Sequence, residues 1–491
     1  MINCYEVSVI QRIYFQKRGD YMQGSHHKKD QRSTFSGSIG FVLAAAGSAV
    51  GLGNIWRFPY LAAKNGGGIF LVVYIILALT FGFALLLTEV AIGRKTAQGP
   101  LTAYSKLKEG WGGLGILATI IPAIILPYYS LIGGWVVKYM TVFAAGQGAS
   151  AAEDGYFSGF ITAQWQPIIF HTIFYLLTAA IIYMGVEQGI EKLSKILMPI
   201  LVLLVIVIAV YSCTLSYTDA DGVTRTGLQG MAIYLIPDFT GMTFGRLLGV
   251  IMDAMGQLFY SLSVAMGIMI AYGSYLKKDS NLLKCVNQIE IFDTAIAILA
   301  GLMIIPAVVT FMGPESMNAG PGLMFISLPK VFHSMGHITG TILGAAFFIM
   351  VFFAALTSCM SILEAIVSGL IDRFHWSRKK ATVISSVYGW LTGIVVALGY
   401  NVFYFELTLP NGAVAQILDI FDYVSNNVLM PILAFLTCVL VGWVLGPKEI
   451  LDEVELGGVT FMRRKLYIVM IRFVCPVLLV FVFLKAFGLF A

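Results

Sequence analysis

A chain of 491 residues that is 58% hydrophobic and only 12% charged has too little charge to cover a water-facing surface, because soluble domains run at about a quarter charged. With a mean hydropathy of +0.85, the composition excludes an ordinary soluble enzyme or binding module and points to a polytopic membrane protein. The formal net charge of +5 reflects charge placed in loops on one side, so it is no argument for nucleic acid.

About eleven apolar stretches reach the roughly 20 residues that cross a bilayer. Backbone polar groups in lipid are satisfied within helices, so each stretch predicts a helix. In chain order the spans, numbered 1 to 11, are 36–60, 68–93, 112–143, 166–185, 192–214, 246–276, 287–313, 342–372, 380–400, 413–444 and 465–490. Ahead of them stand twenty-odd polar, basic residues with no cleavable signal pattern. Met22 is a second candidate start, and the plainer reading of this segment is a disordered tail. Lys and Arg gather at 94–95, 106–108, 192–195, 277–284, 373–380, 448 and 463–465, while the opposite loops hold little beyond Lys64, Arg225, Arg246 and Lys330. By the positive-inside rule the N-terminus is expected in the cytoplasm, and an odd span count puts the C-terminus outside.

The expected layout is a cytoplasmic tail at 1–35, a first five-helix set at 36–214, an extracellular loop at 215–245, a second five-helix set at 246–444, and a cytoplasmic loop with the eleventh helix at 445–491. The longest hydrophilic loops, 145–165, 215–245 and 314–340, all fall outside. The six cysteines are scattered without metal or redox spacing and read as small apolar packing residues. No Asn-x-Ser/Thr sequon occurs, which favours a bacterial plasma membrane.

Two spans are interrupted at corresponding places. Span 1 contains Gly47-Ser48-Ala49-Val50-Gly51-Leu52-Gly53-Asn54, and span 6 contains Gln257 to Gly267 with its Ser, Ala and Gly residues. Each is the first of a five-helix set, and the odd separation inverts the sets relative to each other. Glycine and small hydroxylated residues loosen a helix at membrane depth, and paired interruptions of this kind point to a transporter binding site. The ordinary alternative is close helix packing through small residues.

The run from Gly47 to Tyr60, followed by Asn65-Gly66-Gly67-Gly68, closely resembles the signature of the neurotransmitter:sodium symporter family. Further matches are Gln257 to Gly267, Ala354-Ala355-Leu356-Thr357-Ser358 and Leu418-Asp419-Ile420-Phe421-Asp422, so the likeness runs from about 32 to 490. It implies an all-α polytopic protein of about eleven transmembrane helices, a 5+5 inverted repeat with helices 1 and 6 broken. It also implies import of amino acids, monoamines or osmolytes driven by sodium gradients.

Unwound helices expose carbonyls, which are hard oxygen donors for Na⁺, and N–H groups that favour an anion. The resemblance implies that a substrate carboxylate meets the N–H groups of Leu52 and Gly53 and the hydroxyl of Tyr129. The ammonium is implied at the carbonyls of Ala49, Tyr260 and Ser261, with Ser263 nearby. Ile125, Tyr260, Met266 and Ile362 are implied as the side-chain pocket. Monoamine carriers of the family place an aspartate where this chain has Gly51, so glycine points to an amino acid rather than an amine. Two sodium sites are implied: Ala49, Asn54, Ser261 and Asp293 for the first, and Gly47, Val50, Ala354, Thr357 and Ser358 for the second.

Ala354, Thr357 and Ser358 share a helix face by their i, i+3, i+4 spacing. The ordinary alternative for the hydroxyls is bonding back to their own helix. Asp293 is a carboxylate within a span, where acids are costly and usually functional. Many relatives have Asn there, and chloride-dependent ones have a serine where this chain has Ala297. A fixed carboxylate therefore predicts transport without chloride. Arg57 with Asp422, and Arg32 with Asp372, are implied as gate pairs, with Glu89 bracing span 6 and Tyr275 and Glu364 supporting the inner gate. The competing readings are a solute sensor of the same fold, a channel and an intramembrane enzyme. For the last two the sequence offers no filter-like loop and no hydrolase motif.

Overall fold

The computed structural model describes residues 34–219, 222–313, 316–317 and 321–489; nearly all of the expected tail, with Met22 and Arg32, lies outside the described residues. Among the described residues nine helices are single pieces long and apolar enough to cross a membrane. They are span 2 Gly68–Thr96, span 3 Gly112–Ala144, span 4 Gln166–Met184, span 5 Val186–Cys213, span 7 Leu282–Met312, span 8 His337–Phe374, span 9 Arg378–Leu398, span 10 Ile417–Val444 and span 11 Arg464–Ala486. Span 1 is two helices, Ser38–Ala49 and Gly53–Lys64, bent by 53° at the break between them. Span 6 is Phe244–Ser261 and Ile268–Gly273. The bundle is thus the expected inverted pair of five-span sets with the first span of each broken. The largest boundary difference among the single-piece spans is in span 5, which begins at Val186 rather than 192 because Gly185, at φ +102°, turns the chain directly into it.

Burial sorts the spans into rings. In their most apolar stretches spans 2, 3 and 7 are 67% buried, whereas span 11 is 28% buried. The outer spans turn Ile169, Leu176, Leu203, Val210 and Val477 outward. So much exposed apolar surface needs an apolar surrounding, which here is lipid.

The loops expected to be merely hydrophilic are built. They carry Tyr156–Thr162, Gly227–Leu235 and Leu328–Ser334 as helices, and they bury Phe160, Tyr234, Phe325 and Phe332. Their average polarity conceals these apolar anchors. Lys330 donates to Asp154 at 2.5 Å, which holds that carboxyl below its ordinary range. Gly67, at φ +53°, lies so close to the loop that a Cβ there would come 2.1 Å from the Ile233 carbonyl. That approach accounts for the glycine run after Asn65.

On the opposite face Arg94, at the end of span 2, is buried. It donates to Glu453 of the helix Lys448–Val454 at 2.7 Å and to the Ser280 carbonyl at 2.7 Å, and Lys278 donates to the same Glu453 at 2.8 Å. Removing one partner of a buried pair costs about 3–5 kcal/mol, so this cluster fixes the loop after span 6 to the loop before span 11.

Candidate solute and ion site

The break in span 1 follows from its residues. Gly47, Ser48 and Val50 are weak helix formers, and Val50 leaves the helix at φ −77°, ψ 86°. The chain resumes as a wide π-helical stretch, Gly53–Arg57, before Pro59 in the first turn of Phe58–Lys64. A helix end leaves carbonyls or N–H groups without helical partners, and the break in span 1 brings a C-terminal and an N-terminal helix end within a few residues of each other. In span 6 helix persists through Ser261 and unwinds over 262–267, a narrower gap than the whole run from Gln257 to Gly267. Gln257 stays helical and donates to the Gly53 carbonyl at 3.0 Å, tying one broken span to the other. Glu89 of span 2 accepts the Ala265 N–H at 2.6 Å, the bracing expected of it.

Between these breaks lies a cavity of about 340 Å³, lined by Ser48, Gly51, Gly53, Ile125, Tyr129, Tyr260, Ser263, Met266, Ser358 and Ile362. The expected pocket residues Ile125, Tyr129, Tyr260, Ser263, Met266 and Ile362 therefore line one space. The Leu52 N–H donates to the Tyr129 hydroxyl at 3.4 Å, so the donors expected to take a carboxylate converge. A Cβ on Gly51 would sit 2.7 Å from Ser358 Oγ and 3.0 Å from the Tyr129 hydroxyl, so any side chain there would displace those hydroxyls. Ala49 is buried at the end of the first half of span 1.

Beside the cavity Asp293 is fully buried. It accepts from Asn54 Nδ2 at 2.8 Å and from Ser261 Oγ at 2.7 and 3.0 Å, and the Tyr74 hydroxyl lies 3.4 Å from Ser261 Oγ. Asn54 Oδ1 accepts the Gly51 N–H. Among the described residues no Lys or Arg pairs with Asp293 within 4 Å. An acid so placed faces a large desolvation cost unless a cation joins it.

The second expected cluster also converges. Ser358 Oγ donates to the carbonyls of Ser48 at 3.0 Å and Gly47 at 3.4 Å, and Thr357 Oγ1 donates within span 8 to Phe353 at 2.9 Å and Ala354 at 3.1 Å. Gly47 faces Thr357, since a Cβ there would be 3.3 Å from Thr357 Cβ. Val50 and Ala354 are buried at the same junction.

The expected gate residues are engaged with other partners. Arg57 and Asp422 form no ion pair within 4 Å; the guanidinium lies over the Tyr260 ring, 5.6 Å from its centroid, and Asp422 accepts from Asn426 at 2.6 Å. Arg57 also lines a cavity of about 830 Å³ with Leu61, Asp253, Asn427 and Lys485. Arg32 lies outside the described residues, while Asp372 accepts the Gly99 N–H. Tyr275 donates to Glu364 at 2.6 Å, and Arg378 donates to the same carboxylate at 3.1 Å. The sequence reading missed Ser48, Tyr74 and Arg378. Ser48 carried a signal, as the one hydroxyl in the glycine run of span 1; the other two are spread over distant spans and carried none.

The family model described as the sodium:neurotransmitter symporter family matches residues 32–147 and 162–490. The chain belongs to that family. It is therefore a sodium-dependent secondary transporter and not an enzyme, as expected. The uncharacterized sodium-dependent transporter YhdH of Bacillus subtilis is 34% identical over 463 residues, covering 93% of this chain and 98% of its own. An uncharacterized sodium-dependent transporter of Haemophilus influenzae is 30% identical over 470 residues, covering 93% and 98%. The crystal structure of MhsT in complex with L-phenylalanine superposes with a TM-score of 0.80 at 36% identity, covering 93% of this chain and all of that one.

Proposed function

We propose that this symporter imports a small zwitterionic, hydrophobic amino acid, coupled to two sodium ions and without chloride. The observation that carries the reading is Asp293, a buried carboxylate held by neutral donors next to a cavity with apolar walls and a converging N–H and hydroxyl. A sodium ion supplies the missing positive charge. The carboxylate stands where a chloride ion would otherwise be needed to balance that charge. Gly51 brings no carboxylate of its own into the site, so that charge is left to the substrate. The L-phenylalanine bound to MhsT supports the same class of solute.

The first ion is assigned to Ala49, Asn54, Ser261 and Asp293, and the second to Gly47, Val50, Ala354, Thr357 and Ser358. Arg57 with Asp422, and Arg32 with Asp372, remain the proposed gates, closing and opening as ion pairs between states. The N-terminus is assigned to the cytoplasm of a bacterial plasma membrane. A charge crossing about 100 mV gains roughly 2.3 kcal/mol, and a tenfold gradient adds about 1.4 kcal/mol. Two ions thus supply roughly 7 kcal/mol, enough for a solute gradient on the order of 10⁵-fold. The test is uptake of a panel of radiolabelled amino acids into proteoliposomes with and without a Na⁺ gradient. Concentrative uptake of an apolar amino acid only with Na⁺ is expected. Binding without uptake would instead mean a sensor.

A further inference from the structure

Span 11 carries a full charge inside its apolar stretch. Arg472 lies two helical turns past Arg464, where the span begins, which is about 12 Å along a helix rising 1.5 Å per residue. Charged side chains at such depth are costly and usually have a role. Val469, Phe473 and Val477 of the same helix turn outward, and Arg472 is half-buried at the edge of that stripe. Its Nε donates to the Gly442 carbonyl of span 10 at 2.9 Å, and Trp443 Nε1 donates to the Arg472 carbonyl at 3.0 Å. Both contacts fall where the spans turn π-helical, Leu440–Val444 in one and Met470–Val474 in the other. A Cβ on Gly442 would come 3.1 Å from the Ile471 carbonyl and 3.3 Å from Arg472 Cα, so glycine lets the two backbones meet there.

That clasp uses one of the five N–H donors of the guanidinium. Among the described residues no carboxylate lies within 4 Å of Arg472, and no protein acceptor takes its terminal nitrogens. The Trp443 ring, 6.0 Å from the guanidinium carbon, is 59% exposed. It meets Phe473 edge to face at 5.4 Å. At the same end of the two spans Lys448 and Lys465 are exposed. Neither pairs with a carboxylate among the described residues. Of the acids in the connecting segment, Glu449, Glu453 and Glu455 are engaged by Lys95, Arg94 and Arg464, which leaves Asp452 to offset these cations.

We propose that Arg472 anchors a binding site for an anionic phospholipid, seated between spans 10 and 11 in the leaflet where span 11 begins. The terminal nitrogens form a planar fork that matches a pair of phosphate oxygens. The long side chain reaches from its apolar stem toward the headgroup layer, the level at which tryptophans such as Trp443 gather. Lys448 and Lys465 add positive charge at the surface, which favours a headgroup of net negative charge over a zwitterionic one. The exposed faces of Trp443 and Phe473 give the acyl chains a wall. A free phosphate ion is the poorer occupant, because the residues around the fork open to lipid rather than water.

The test uses the full chain, delipidated in a neutral detergent, as wild type, Arg472→Gln and Arg464→Gln. Thermal stabilisation is titrated with dioleoyl phosphatidylglycerol, dioleoyl phosphatidylcholine and inorganic phosphate. Wild type should bind phosphatidylglycerol about tenfold or more tightly than phosphatidylcholine, and inorganic phosphate should not stabilise it. Arg472→Gln should weaken phosphatidylglycerol by about tenfold or more, the order expected when a hydrogen bond to a charged group is lost. Arg464→Gln removes an equal charge that is already paired with Glu455, and should stay within about twofold of wild type. Equal loss in both variants would mean general surface attraction and overturns the site. Wild type that does not distinguish the two lipids overturns it, as does stabilisation by inorganic phosphate matching that by phosphatidylglycerol. An Arg472→Gln protein that melts lower without lipid yet keeps wild-type affinity for phosphatidylglycerol would leave only a helix clasp, and also overturns it. If Arg472→Gln does not fold, Arg472→Lys takes its place, keeping the charge without the fork. A loss of about threefold or more is then expected, and unchanged affinity overturns the proposal.

Discussion

Asp293 and Ser261 sit on different spans, yet their side chains meet at 2.7 Å. The carboxylate has no cationic side chain to answer it among the described residues, so removing its charge should act on ion binding first. Asp293→Asn keeps the shape and the contacts to Asn54 and Ser261. The expected outcome is at least about a tenfold rise in the Na⁺ concentration for half-maximal uptake, about 1.4 kcal/mol, together with a new stimulation by chloride. Uptake titrated against Na⁺ in chloride and in gluconate checks both; wild-type behaviour in both titrations would refute the assignment. Ser358 and Thr357 offer a second test. Their hydroxyls bond to carbonyls of spans 1 and 8, and each such bond contributes about 1 kcal/mol. Thr357→Ala with Ser358→Ala should weaken Na⁺ affinity and abolish concentrative uptake, while the protein stays monodisperse in detergent because alanine is a good helix former. A well-folded double mutant with wild-type Na⁺ dependence would remove the second site from the mechanism.

At the scale of elements, the two broken spans work as one unit. Gln257 of span 6 bonds to the Gly53 carbonyl of span 1, Ser263 bonds to Ser48, and Glu89 of span 2 holds Ala265. Unsatisfied backbone groups are costly at membrane depth, so broken helices survive here only where neighbours supply partners. Gly267 shows how tightly the unit is seated. Gly267→Ala combines positive φ with overlap against span 3, and each effect costs about 1–2 kcal/mol. We expect a clearly lowered melting temperature in detergent and loss of uptake. A thermal profile equal to wild type would show that this contact yields easily. Glycine and small residues marked both spans as interrupted from the sequence. Which residues unwind was not marked: Gln257 to Ser261 belong to the weak run but remain helical, because Leu258 and Phe259 pack into the core.

Over the whole molecule, the two ends of the central cavity differ. Toward Arg57 there is a space of about 830 Å³, and toward Glu364 the way is crossed by bonds from Tyr275 and Arg378. Such an arrangement fits a site reached from one side at a time. If two sodium ions accompany a zwitterion, net positive charge crosses with each cycle. An inside-negative diffusion potential across proteoliposomes, at fixed Na⁺, should then raise the initial uptake rate, and its collapse should lower it. A rate indifferent to potential would rule out net charge movement.

The apolar spans, their number and the pairing of two interrupted helices were legible in the chain, because bilayer thickness and backbone satisfaction act on contiguous residues. The positions of Asp293 and Ser358 relative to span 1 were reached only through resemblance; in the folded protein they follow from the packing of spans 7 and 8 against the break. Tyr74 and Arg378 had no local mark, since each matters through a partner more than a hundred residues away or on another span. The separation of Arg57 from Asp422, and the left-handed backbone at Ser263 and Ala265, were settled by tertiary contacts alone. Local sequence sets where a helix is weak, whereas the neighbours that compensate each exposed group decide how it breaks.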